Sequence, residues 1–142
     1  MSVHLIKLSV GAERISDLQH WQRLVLRGNR GTDLEGFFHH VTRMMPRRVD
    51  ELLDGGSIYW VIARQIRCRQ RIMAVDAVET PEGRKCRLVL DPELVRVHPV
   101  ARGPFQGWRY LKPEDAPADL ADGNADDTGL PLRDQLAELG LL

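Results

Sequence analysis

Ser57-Ile58-Tyr59-Trp60-Val61-Ile62-Ala63-Arg64-Gln65-Ile66-Arg67-Cys68-Arg69-Gln70-Arg71-Ile72 decides the fold class. Its first half is an apolar run of β-branched and aromatic residues, bounded on the N-terminal side by Gly55-Gly56. Its second half alternates basic with apolar or neutral residues. Both patterns are those of strands, and they place strands over 57–63 and 66–79. Successive side chains of a strand point to opposite faces. Arg67, Arg69 and Arg71 are therefore expected on one face, and Ile66, Cys68, Gln70 and Ile72 on the other. Three guanidinium forks in a row suit phosphate or carboxylate.

Outward from this stretch, Thr80-Pro81-Glu82-Gly83 reads as a turn leading to a strand over 84–90. That hairpin sets Glu79 opposite Arg84 and Cys86 near Ala77, far from Cys68. Two cysteines so placed read as reduced thiols of a cytoplasmic protein. Asp91-Pro92-Glu93 resembles a capped helical turn, and 95–97 a short strand. Upstream, 3–10 and 37–42 read as strands. Ser16 with Gln19 matches a capping box for a helix over 16–27, and Pro46 opens a second helix over 46–54. Strands in clusters with two or three helices predict an α+β domain: a curved, mostly antiparallel sheet, or a small β-barrel.

The chain has 142 residues and no net charge, but the charge is unevenly spread. Residues 113–142 hold eight of the twenty acids and one of the twenty bases, leaving a net +7 on residues 1–112. A basic body suggests an anionic partner. The composition predicts a globular domain over 1–112, an acidic mobile linker over 113–129, and a short helix over 130–142 carrying Leu132, Leu136 and Leu139. The acidic segment is expected to screen the basic body. No secretory signal and no apolar run of membrane-spanning length is visible.

Five phrases are distinctive: residues 1–8, His40-Val41-Thr42-Arg43-Met44, residues 50–62, residues 90–95, and Pro104-Phe105-Gln106-Gly107-Trp108-Arg109-Tyr110-Leu111. They resemble an uncharacterised proteobacterial domain-of-unknown-function family, numbered fourteen eighty-nine, over residues 1–120. That resemblance implies no activity. The order strand, Pro-initiated helix, Gly, strand from Val41 to Ile62 is also similar to ASCH domains of the PUA-like superfamily, small β-barrels of which many bind RNA. In the ASCH pattern Gly is followed by Lys, Glu and Arg at positions held here by Ser57, Trp60 and Ile62. The resemblance therefore implies a barrel but not the ASCH polar cleft.

Chemistry is sparsely signalled. His39 and His40 are adjacent on a strand and face opposite ways, and His4, His20 and His98 lack ligand spacing, so no metal site is expected. Cys68 reads as a buried inert thiol. No catalytic signature and no cofactor motif is found. Two readings of the arginines stay open: a solvated strand face, or a phosphate-binding face. In the second, Arg43, Arg67, Arg69, Arg71 and Arg109 contact phosphate while Tyr59, Trp108 and Tyr110 stack on bases of RNA or a nucleotide. Trp60 reads rather as a core residue. A protein-interaction module using the C-terminal tail, or a small enzyme, are the alternatives.

Overall fold

The computed structural model describes residues 2–120. In chain order these form β1 (His4–Leu8), α1 (Ile15–Gly28), β2 (Phe38–Thr42), α2 (Val49–Leu53), β3 (Ser57–Ile62), β4 (Gln65–Thr80), β5 (Gly83–Leu90), β6 (Val95–Ala101) and β7 (Trp108–Leu111). The strands make one sheet in the order β2-β5-β4-β3-β1-β7, with β6 also beside β4. β1 and β3 run parallel, and the other pairs are antiparallel.

β4 organises the sheet. At roughly 3.3 Å per residue its 16 residues span far more than an average strand. Its first half pairs with β3 on one side and β6 on the other, and its second half pairs with β5. The 80–83 hairpin forms as expected, with Glu79 opposite Arg84 and Cys86 opposite Ala77. Two register shifts interrupt β4, at Arg67 and at Met73. Such shifts bend a strand and sharpen its twist, so the sheet curls.

The α+β expectation holds, and the barrel does not close. β2 and β7 end the sheet and do not pair with each other. After β2 the chain turns away to cross β7 through side-chain contacts. Trp108 Nε1 donates to the Met44 carbonyl (2.8 Å), and the Tyr110 hydroxyl accepts the backbone N–H of Arg47 (2.9 Å) and Arg48 (3.1 Å).

The curled sheet buries both faces, so every residue of β3 is buried and that strand lacks a polar alternation. Leu5, Ile15, Leu18, Leu52, Ile58 and Trp60 belong to the main core. Ile6, Tyr59, Val61, Ile66, Val97 and Leu111 form a second core on the opposite face. α1 buries Ile15, Leu18 and Gln22. Its cap is Arg14 rather than Ser16, and the Asp17 carboxylate accepts the N–H groups of Glu13 and Arg14. α2 is a single turn that begins three residues after the buried Pro46. Gly56 follows it where three backbone segments converge. A Cβ there would lie 2.3 Å from the Val3 carbonyl oxygen and 2.4 Å from that of Leu52. Asp91 makes no helical turn: its carboxylate accepts the Glu93 N–H in an Asx turn.

Residues 113–120 lie on the sheet. A 3₁₀ turn at Pro113–Asp115 leads to backbone bonds from His98 N–H to Ala118 O and from Leu120 N–H to Arg96 O, each 2.9 Å. The remainder of the expected linker and the expected C-terminal helix lie outside the described residues. No helix among the described residues is long and apolar enough to cross a membrane.

Candidate functional site

The three β4 arginines do not form one exposed row. The register shift makes Arg67 the extra residue of a bulge, which breaks the period of two. Ile66 consequently joins the second core with Tyr59 and Val61, rather than sharing a face with Cys68 and Ile72. Arg67 is buried and its Nη2 donates to Gln65 Oε1 (3.0 Å). Arg69 forms a two-pronged pair with Asp119, with Nε–Oδ1 and Nη2–Oδ2 both 2.7 Å, and also donates to Ser57 Oγ. This pairing holds the Asp119 carboxyl below its ordinary range. Arg71 is exposed beside a hollow whose lining includes Asp91, Glu93 and Asp119. Protein carboxylates thus occupy the place proposed for phosphate. Tyr59 is buried as well, edge-on to His4 at 5.1 Å between ring centres, and presents no ring for stacking.

Of the other predicted residues, Trp108 and Tyr110 meet each other, Arg43 sits on the segment after β2, and Arg109 lies on the opposite side of β7. The bonds from Trp108 and Tyr110 fix the 43–48 segment against β7. Trp108 and Tyr110 meet edge to face at 4.9 Å, and the Arg48 guanidinium lies over the Tyr110 ring at 5.2 Å. On the other side of β7, Arg102 and Arg109 lie over Phe105 at 5.1 and 5.6 Å. Arg43, Arg47, Arg102 and Arg109 are exposed. Among the described residues none of these four pairs with a carboxylate, whereas Arg48 pairs with Glu51. The edge of the sheet therefore carries unneutralised guanidinium groups around partly exposed rings.

A cleft opens on the main-core side, between α1, β1 and β2. Its volume is about 330 Å³, and its walls include Leu18, Trp21, Val25, Phe38 and Trp60. Lys7, His39 and His40 also line it. Burial lowers the Lys7 pKa. His40 sits edge-on to Trp60 at 5.5 Å, and burial, with Lys7 and His39 adding to it, brings its pKa down to about 4. Trp60 reaches from this wall into a sealed amide network. Its Nε1 donates to Gln70 Oε1 (2.9 Å), Gln22 and Gln70 exchange bonds of 2.6 and 3.1 Å, and Gln70 Nε2 donates to Asp91 O (2.9 Å).

A family model described as "Protein of unknown function (DUF1489)" matches residues 5–142. The chain belongs to that family. The match extends past the 1–120 over which the sequence resemblance was drawn, into the acidic segment. Searches of curated proteins and of solved structures found no match.

For this DUF1489 chain, the cleft is what sequence reasoning missed. In the sequence the histidines show no metal-ligand spacing to mark them. Lys7 had a readable signal: a lone cation inside Leu5-Ile6-Lys7-Leu8, on a strand expected to be buried. Cys68 behaves as expected of an inert thiol, because burial pushes its pKa up to about 12 against the opposing influence of Arg96 and Arg67. Among the described residues no group of three or more His, Cys, Asp or Glu side chains is placed to hold a metal ion.

Proposed function

We propose that this protein binds single-stranded RNA along the edge formed by β7 and the 43–48 segment. The observation that carries the reading is the set of exposed arginines without carboxylate partners, Arg43, Arg47, Arg102 and Arg109, around Phe105, Trp108 and Tyr110. Guanidinium groups bond phosphate, and partly exposed rings offer faces or edges to unpaired bases. The tether of residues 43–48 to Trp108 and Tyr110 sets these groups in place before binding, which lowers the ordering cost. The net +7 of residues 1–112 would steer a polyanion toward the body. Arg43, Trp108, Arg109 and Tyr110 remain in the proposed site. Arg67, Arg69, Arg71 and Tyr59 leave it. A cytoplasmic location is part of the same proposal, since Cys68 and Cys86 are free and buried.

A protein-interaction module is favoured by one feature of the same segment, the exposure of Met44 and Met45 between Arg43 and Arg47. Fluorescence anisotropy of a labelled single-stranded RNA, with a duplex of the same length as competitor, separates the two. RNA binding predicts saturable binding at low ionic strength that the duplex competes poorly. Absence of any anisotropy change at low ionic strength would leave only the protein-partner reading.

A further inference from the structure

The cleft between α1, β1 and β2 holds polar groups that the fold itself leaves unused. Lys7 makes no hydrogen bond or ion pair among the described residues, and no Asp or Glu lines the cleft. His40 Nε2 is buried and has no hydrogen-bond partner among the described residues. Lys7 is half-buried, so its charge is partly desolvated with no partner to offset the cost. Lys7 lies between two indole-bearing strands: Trp60 of β3 and Trp108 of β7 are its register partners. Apart from Lys7, Ser9, His39 and His40 the walls are apolar and aromatic, and the volume of about 330 Å³ is at the small end of ligand pockets.

We propose that this cleft binds a small monocarboxylate with a flat apolar body, its carboxylate on the Lys7 ammonium and its body against Trp60, Phe38 and Trp21. Charge selects the class. The single ammonium in the lining balances a single negative charge. A phosphate dianion would bring a second charge and further acceptor oxygens into walls that offer no other cation. Shape selects the body, because Trp60 is held by Gln70 and stands nearly perpendicular to the His40 ring. The inference is independent of RNA binding, which uses the exposed groups around β7.

The test uses the full chain, with 4-fluorobenzoate as probe and 4-fluorobenzamide as its neutral isostere, both followed by fluorine NMR line broadening. The wild type should bind the carboxylate at least about tenfold more tightly than the amide, the ratio expected from one charge-assisted hydrogen bond. Lys7→Met keeps the apolar stem and should abolish the preference, while Lys7→Arg should retain most of it. The comparison of the two probes on wild-type protein decides the matter even if a variant fails to fold. Equal affinity for both, a preference that survives Lys7→Met in folded protein, or no broadening of either probe at millimolar concentration would overturn the proposal.

Discussion

The arginines of β4 and those around β7 carry the same side chain, and their neighbours give them opposite roles. Arg67 is buried in a bulge with Gln65, Arg69 is gripped by Asp119, and Arg71 is exposed beside a hollow lined in part by Asp91 and Glu93. Arg67 and Arg69 are each matched by an acceptor or acid of the chain itself. Arg43, Arg47, Arg102 and Arg109 are exposed, and Arg102 and Arg109 lie against the Phe105 ring, with Arg109 also bonding backbone carbonyls. Period-two spacing made the first set look like a phosphate face. Spacing gives the direction of a side chain only while the register holds, and it says nothing about which acids fold back onto it. The second set has no periodic signature, because the 43–48 segment, the loop after β6 and β7 each supply part of it.

The largest expected effect that would break this contrast is at Arg67. If it is structural, Arg67→Ala should cost roughly 2–3 kcal/mol by removing a buried stem and leaving a void. Urea unfolding measures it, and a loss below 0.5 kcal/mol on the order of surface sites would place Arg67 with the exposed set.

Asp119→Asn should cost less, about 0.5–1 kcal/mol, because the Arg69–Asp119 pair is partly exposed and screened by solvent. The same pair sets a pH dependence. The Asp119 pKa is lowered on folding, chiefly by its hydrogen bonds to Arg69, so the pair stabilises the fold above the ordinary carboxylate range. That stability is lost as pH falls through the lowered pKa. The Asp119→Asn variant should therefore show a smaller loss between neutral pH and pH 3 than wild type. Parallel pH profiles for the two proteins would contradict the assignment.

Arg43→Gln, Arg47→Gln and Arg109→Gln together should shift stability least, within about 0.5 kcal/mol, since no carboxylate loses a partner. A melt several degrees lower would mean that these groups too are structural.

Much of the fold was legible in the sequence and much of the site was not, for separable reasons. The 80–83 hairpin, with Cys86 opposite Ala77, follows from local turn chemistry and the fixed repeat of a strand. The bulge at Arg67 does not: it depends on β3 and β6 pairing at the same point of β4. Trp60 was readable as core because Ile58 and Ile62 share its strand face. Its bond to Gln70, and the cleft beyond it at Lys7 and His40, depend on where α1 and β2 pack. Barrel closure failed for a related reason, since the chain after β2 crosses Trp108 and Tyr110 instead of pairing with β7.

The central claim is that the β7 arginines, and not those of β4, meet the polyanion. A salt titration of single-stranded RNA binding tests it most directly, comparing wild type, the triple variant at Arg43, Arg47 and Arg109, and Arg69→Gln. Each phosphate contact adds about 0.7 to the log–log slope for single strands, so the triple variant should flatten that slope by about two units. Arg69→Gln should leave it unchanged. A slope that stays with the triple variant and flattens with Arg69→Gln would contradict the account.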